Sequence, residues 1–385
     1  MKRRYFALVG GVSLFCLAFF AGGYYLYLHP MIGKASYKTP EEDSVYVRFG
    51  LEAYDSIVKN YWMQAKEDDL AHLFALSLQK ATNASSTPIL QTAGRAGVAR
   101  MFSDSLKTAT STEAKKQLAR DTLTVLLYNL QPIGRNALYS EAQEAELRQT
   151  VSNVSPSSDL YENLGLQKGA STEEVVKAYT EKEEELKEAT STEAKQELAE
   201  AAHAKEVLAD ESARALYDEA KIEPTVWSRE MGSTLYLSIG KISPTTLQEF
   251  GRIVEKATAT PKLDSLIIDL RGNIGGALDF PQYFLGLFVG KNQFAFDLFH
   301  QGEYEAQRTV TPKWDELSRY KEIAFFIDSM TQPTAELTVA IFKRLHLGVA
   351  VGEPTLGWGS VENTFPLSTV IDPKEKSTRS SLCTA

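Results

Sequence analysis

Two short segments hold the residue types from which a reactive site can be built. The first is R-G-N-I-G-G (Arg271 to Gly276), which joins an apolar run, Leu266 to Leu270, to a helix-patterned stretch, Ala277 to Phe288. Glycines in such a joint expose backbone N–H groups at a helix N-terminus, where Gly275 and Gly276 can face an oxyanion or a peptide. The loop has neither the G-x-G-x-x-G order nor a G-K-[ST] lysine, which argues against a nucleotide phosphate. The second segment, T-Q-P-T-A-E (Thr331 to Glu336), offers the hydroxyls of Thr331 and Thr334, with Ser329 and Ser360 near in sequence. A hydroxyl becomes a nucleophile only beside a proton acceptor. The nearest lysine, Lys343, lies on the following helix, and Arg344 beside it cannot act as a base. The 5 histidines are scattered without H-x-x-x-H spacing, and Cys16 and Cys383 stand at opposite ends of the chain. A metal site or a disulfide framework is therefore not expected, and no cofactor is implied.

These segments must be positioned by a C-terminal region of alternating strands and helices. Thr234 to Ile239 alternates as a strand, and Pro244 to Ala257 reads as a helix. Leu266 to Leu270 and Ile323 to Ile327 are apolar runs of the buried-strand kind. A helix to about Leu345 and strands at Gly348 to Val351 and Thr364 to Leu367 follow. The pattern predicts an α/β core. Ahead of it, apolar residues at helical spacing (Val47, Leu51, Tyr54, Ile57, Val58, Tyr61) predict helices from Ser44 to about Ala81, resuming after Ser85-Ser86-Thr87-Pro88 to about Gln149. The polar tail, Ser368 to Ala385, reads as disordered. One sequence recurs, L-K-T-A-T-S-T-E-A-K-K-Q-L-A from Leu106 and L-K-E-A-T-S-T-E-A-K-Q-E-L-A from Leu186. Thr110 with Glu113, and Thr190 with Glu193, have the spacing of a capping box. The flanks of the two copies differ, so this is a reused joint and not a repeat array.

At 385 residues the chain exceeds a single compact core. Its net charge of −9 argues against a nucleic-acid partner. Lys2, Arg3 and Arg4 precede 24 uncharged residues, Tyr5 to Leu28. That length spans the roughly 30 Å hydrocarbon layer as a helix. Tyr24, Tyr25 and Tyr27 stand where an aromatic belt is expected, and the run is longer than a cleaved signal peptide's. The expectation is a single-pass membrane anchor with the N-terminus cytoplasmic and the body, after His29, extracytoplasmic.

The segment S-D-L-Y-E-N-L-G-L, A-S-T-E-E-V-V-K-A-Y and A-K-E-V-L-A-D-E-S-A-R-A-L-Y-D, from Ser158 to about Ile222, resembles a J-domain. Ser171 and Glu174 form a further capping box. The resemblance implies a His-Pro-Asp triplet after the second helix; Lys187, Glu188 and Ala189 stand there instead. The normally basic second helix reads E-K-E-E-E, Glu181 to Glu185, which opposes recruitment of a chaperone ATPase. A docking arm is the expected use.

Two longer motifs point elsewhere. L-I-I-D-L-R-G-N-I-G-G-A-L-D, and further on G-V-A-V-G-E-P-T-L-G-W-G-S-V-E-N-T-F-P-L, resemble the signature blocks of the carboxyl-terminal processing (tail-specific) serine peptidases. Y-D-S-I-V-K-N-Y-W from Tyr54 is similar to their helical region. The resemblance implies an α/β peptidase core and a serine nucleophile, a lysine base and an orienting glutamine. In register with Glu336 and Glu353, those positions hold Pro333, Trp358 and Glu362. Proline offers no nucleophile and an indole accepts no proton. The J-like segment stands where that family holds a PDZ domain. The domain expectation is an anchor at 1–35, a helical region at 36–155, a J-like segment at 156–222 and a peptidase-like core with a polar tail at 223–385. The expected function is a non-catalytic homologue binding or assembling polypeptide. Two alternatives stand beside it, an active peptidase with Thr331 or Thr334 as displaced nucleophile and a structural docking protein using the J-like arm. The expected partners are a polypeptide client and the membrane, with self-association left open.

Overall fold

The structure is a computed structural model that describes residues 39–90, 92, 94–152, 159–187, 191–372 and 378–384. In chain order it has helices α1 (Val45–Asn60), α2 (Glu67–Thr82), α3 (Gly94–Thr108) and α4 (Thr112–Tyr128), strand β1 (Ala137–Ser140) and helix α5 (Glu141–Ser152). Helices α6 (Thr172–Leu186), α7 (Thr192–Ala209) and α8 (Glu211–Ala220) follow. Next come β2 (Val226–Met231), β3 (Thr234–Ile239), α9 (Thr246–Ala257), β4 (Ser265–Asp269), α10 (Phe280–Val289), β5 (Phe294–His300), β6 (Glu303–Arg308) and β7 (Glu322–Ile327). Helix α11 (Pro333–Arg344) and strands β8 (Val349–Gly352), β9 (Glu362–Leu367) and β10 (Thr378–Cys383) complete the order.

The chain forms two compact units, residues 39–140 with 362–383, and 141–361 with Thr384. In the first, α1 to α4 bury Phe49, Phe74, Phe102 and Leu123, and the same core takes Leu367, Ile371 and Leu382 from the C-terminal segment. That segment enters as sheet: β10 pairs antiparallel with β1 on one side and β9 on the other. The expectation of a disordered tail is corrected here. T-R-S-S-L-C reads as polar, yet Ser380 and Ser381 are buried, and the Ser380 hydroxyl meets that of Ser56 at 3.3 Å. The domain boundary drawn at 223–385 accordingly differs from the contact units, because 362–383 packs with the helical region.

In the second unit a five-stranded sheet runs β2-β3-β4-β7-β8, with a β2–β3 hairpin and parallel pairing beyond it. One face presents Leu235, Leu237, Leu266, Ile268 and Phe325 to a core that includes Phe250 of α9, Phe284 of α10 and Phe342 of α11. The parallel runs are apolar because their side chains are covered by helices. The expected strands and helices of this core are present within a few residues; the β5–β6 hairpin is additional. Residues 159–220 fold about Leu160, Tyr161, Val175, Ala204, Leu208 and Tyr217, with Trp227 of β2 packed against them. The Ser171–Glu174 capping box forms as expected, and Asp210 caps α8 through Ala213 N (2.9 Å).

The caps of the repeated joint lie one residue later than expected. Ser111 Oγ accepts from Ala114 N at 3.0 Å, and Ser191 Oγ from Ala194 N at 3.1 Å. Threonine and serine are adjacent in both copies, and the serine in each is the residue with extended backbone angles. Thr190, Glu188 and Ala189 lie outside the described residues, as does the apolar run Tyr5 to Leu28. Among the described residues no helix is long and apolar enough to cross a membrane.

Candidate functional site

The site is assembled where the R-G-N-I-G-G loop meets the start of α11. Asn273 is fully buried and ties three segments together. Its amide donates to Ile239 O (2.6 Å), its Oδ1 accepts from Gly275 N (2.8 Å), and its carbonyl accepts from Gln332 N (2.8 Å). Two more bonds lock the loop to the end of β3, Ile242 N to Gly275 O (2.8 Å) and Ala277 N to Ile242 O (3.0 Å). Gly276 sits at φ +144, and a Cβ there would lie 1.8 Å from Ile242 O, so only glycine fits. Among the described residues the Gly276 N–H meets no acceptor. Gly275 is different, since Asn273 uses its N–H; of the two expected donors only Gly276 has its N–H free.

The neighbouring acids build the walls. Asp328 accepts from Gly272 N (3.0 Å), Met330 N (3.0 Å) and Thr331 Oγ1 (3.2 Å). The bond from Gly272, with those from Met330 and Thr331, holds its carboxyl below the usual aspartate range. Asp269 is buried, which alone would raise its carboxyl. Arg271 (2.6 Å) and Tyr236 (2.5 Å) outweigh that and hold it low.

Pro333 occupies the first position of α11, where the absent N–H costs no helical bond and the fixed φ suits the turn. Glu336, one turn on, is 8% exposed and accepts from Gly357 N (2.7 Å) and Gly359 N (3.4 Å). Trp358 lies between those glycines, at φ +69 and +50. The carboxylate therefore fastens the Trp358 loop to the helix that begins with Pro333. Glu362 opens β9 in the other unit, where it pairs with Arg135, and burial pushes its carboxyl upward.

The two threonines are engaged by backbone. Thr331 is 1% exposed and donates to Leu270 O at 2.9 Å, while its oxygen accepts from Asp328 N at 3.0 Å. Thr334, also buried, lies with its hydroxyl 3.1 Å from Gly276 O. Lys343 is exposed in the last turn of α11, nine residues on, about 14 Å along the helix axis from Thr334. That is far beyond proton-transfer reach. What the site offers chemically is a set of backbone N–H groups, that of Gly276 and those of the first turn of α11. Sequence reasoning passed over Asn273, Asp328 and the loop-holding role of Glu336. The signal for Asn273 was present, since an Asn ahead of two glycines is the residue that closes an Asx turn. Among the described residues no group of His, Cys, Asp and Glu side chains could hold a metal ion.

Comparison with known proteins places both motifs. Residues 233–378 match the model of peptidase family S41, and residues 159–218 match the DnaJ domain. Over these residues the chain is similar to peptidase family S41, with a segment similar to the DnaJ domain ahead of it. Among solved structures, the photosystem II D1 C-terminal processing protease is similar at 13% identity and a TM-score of 0.47, over 89% of this chain and 88% of that one. A lipoprotein from Streptococcus agalactiae is similar at 13% identity and a TM-score of 0.42, over 91% and 87%. A putative peptidase from Parabacteroides merdae is similar at 10% identity and a TM-score of 0.41, over 88% and 82%. No curated protein matches the chain at a significant level.

Proposed function

We propose that this chain is a membrane-anchored, extracytoplasmic relative of the S41 peptidases that binds polypeptide without cleaving it. The observation that carries the reading is Pro333 at the first position of α11, with both neighbouring threonine hydroxyls held to backbone groups and Lys343, the nearest lysine in sequence, about 14 Å along the helix from Thr334. Loss of a nucleophile or its base typically lowers a peptidase rate by about 10⁴–10⁶-fold. The remaining N–H groups still suit a peptide carbonyl or carboxylate. Lys2 to Arg4 ahead of an uncharged run of 24 residues support the anchor and its orientation. The DnaJ-type segment serves as a docking arm: Lys187 stands at the first triplet position, and the second helix is acidic and carries pairs of its own, such as Lys177–Glu181 (3.8 Å).

The test compares the natural protein with the combined variant Pro333→Ser, Trp358→Lys, Glu362→Gln, using a serine-reactive probe and a denatured protein substrate. The natural protein is expected to leave probe and substrate untouched while retaining substrate in a binding assay. Cleavage by the natural protein that disappears on Thr334→Ala or Thr331→Ala would overturn the reading in favour of a displaced nucleophile.

A further inference from the structure

Among the described residues the fifth strand of the core sheet ends it without a partner. β8 pairs only with β7, in parallel register Ala324↔Val349 to Ile327↔Gly352. Glu353 N donates to Ile327 O (3.2 Å), so the alternate residues Val349, Val351 and Glu353 turn their main-chain groups towards β7. Ala350 and Gly352 therefore direct N–H and C=O groups outward. Val349 and Val351, 60% and 47% exposed, stand beside them. Edge strands are usually blunted by shortness, a charged side chain, a proline or a covering element; β8 is short, and Glu353 and Pro354 follow it directly. Val349 to Gly352 has no charge and no proline.

Two residues before β8 the surface opens into a pocket of about 420 Å³, lined by Val289, Gln293, Phe294, Arg344, Leu345 and Leu347. Its rim is basic although the chain is acidic overall. Arg344 stacks on Phe294 with its guanidinium 4.8 Å from the ring centre and donates one bond to Ala295 O (2.6 Å). Lys343, the residue before Arg344, and Lys291, two before Gln293, are exposed, and Arg308 bonds the carbonyl of Asn292, next to Gln293, at 3.0 Å. Open main-chain groups are satisfied by another main chain, an apolar hollow takes an apolar side chain, and a basic rim favours acid.

From this juxtaposition we propose that β8 and the adjoining pocket form a docking site for an extended, acidic segment of a partner polypeptide. The segment adds as a sixth strand along Ala350 and Gly352, seats an apolar side chain against Leu345 and Leu347, and sets aspartate or glutamate side chains against Arg344 and Lys343. The site deepens the polypeptide-binding reading. It uses none of the backbone donors of Gly276 and the α11 first turn, so either can fail without the other.

The test uses the full chain in detergent micelles and fluorescent peptides with amidated C-termini, so that only side chains supply acid. An alternating Val-Glu peptide is expected to bind, with affinity falling as salt rises. N-methylation of its strand-facing amides, Lys343→Glu or Arg344→Glu are each expected to weaken it about tenfold or more. The N-methylated peptide leaves the protein unchanged, so its result does not depend on a variant folding. Indifference to N-methylation, equal binding of a Val-Lys peptide, or binding only when the C-terminal carboxylate is free would each overturn the proposal. A Gly276 ligand that still binds when the Val-Glu peptide does not would sink this site and spare the other.

Discussion

Gly276 shows at the scale of one residue how the site constrains its sequence. Its backbone lies at φ +144, and the nearest atom to a Cβ is a carbonyl oxygen that already bonds Ala277 N. Gly272 in the same loop has φ +67 but open space around it. Gly272→Ala is therefore expected to cost only the left-handed strain, about 1 kcal/mol. Gly276→Ala must also push two bonded loops apart and is expected to cost upwards of about 3 kcal/mol. Chemical denaturation of the two variants checks the difference; equal losses would mean that the Ile242 contact yields freely. The loop's glycines were legible in the sequence, as was a proline suited to the first position of α11. The fate of the hydroxyls was not, because nothing in T-Q-P-T-A-E announces that Thr331 turns inward to Leu270 O, 61 residues away in the chain.

At the scale of elements, apolar runs and helical spacing located the core strands and helices, while polar strands escaped them. β10 includes Thr378, Ser380 and Ser381, all buried because it lies between two other strands, and the Ser380 hydroxyl meets Ser56 of α1. The caps were misplaced by one residue for a local reason, since Thr110 and Ser111 are both capping types. Ser111→Ala is expected to cost about 1 kcal/mol and Thr110→Ala a few tenths, measured by thermal unfolding. Equal costs would restore Thr110 as the cap. The junction between the DnaJ-type segment and the core has a pH dependence of its own. His203 of α7 meets Glu223 at 2.7 Å, which raises the imidazole above its usual range against the opposing effect of burial, with Glu206 and Lys241 also facing it. Glu223 is lowered by the same bond, burial opposing. A raised His stabilises fully below its unfolded value of about 6.5 and loses that contribution as pH rises through the folded value. A lowered Glu contributes above its unfolded value of about 4.3 and loses it as pH falls through the folded one. The stability gap between the natural protein and His203→Asn should thus be widest between about pH 4.3 and 6.5 and close as pH rises through the raised value of the folded imidazole. A gap that stays constant from pH 5 to 8 would exclude the pair as its source.

On the scale of the whole molecule, the order of the elements and the grouping of the units disagree, and that disagreement governs stability. The sequence reads as helices first and a peptidase core last, yet residues 362–383 fold with 39–140. The core of that unit buries Leu367, Ile371 and Leu382, each 6% exposed or less. Burying a leucine or isoleucine side chain contributes about 1.5–3 kcal/mol, so the three together supply roughly 5–9 kcal/mol. A domain's net stability is only about 5–15 kcal/mol. Further bonds are lost with the segment, including Thr369 Oγ1 to Glu52 (2.6 Å), Lys116 to Asp372 (2.9 Å) and Cys383 N to the buried Asn136 (2.8 Å). Removing residues 362–385 should therefore unfold the helical unit while leaving the 141–361 unit, whose core lies within its own limits, folded. Residues 39–140 made alone should likewise lack a cooperative thermal transition, and joining them to 362–384 through a flexible linker should restore one. Calorimetry of the three proteins decides the matter. A cooperative transition in 39–140 alone, at the temperature seen with the segment attached, would show that the helices need no strand from the far end of the chain.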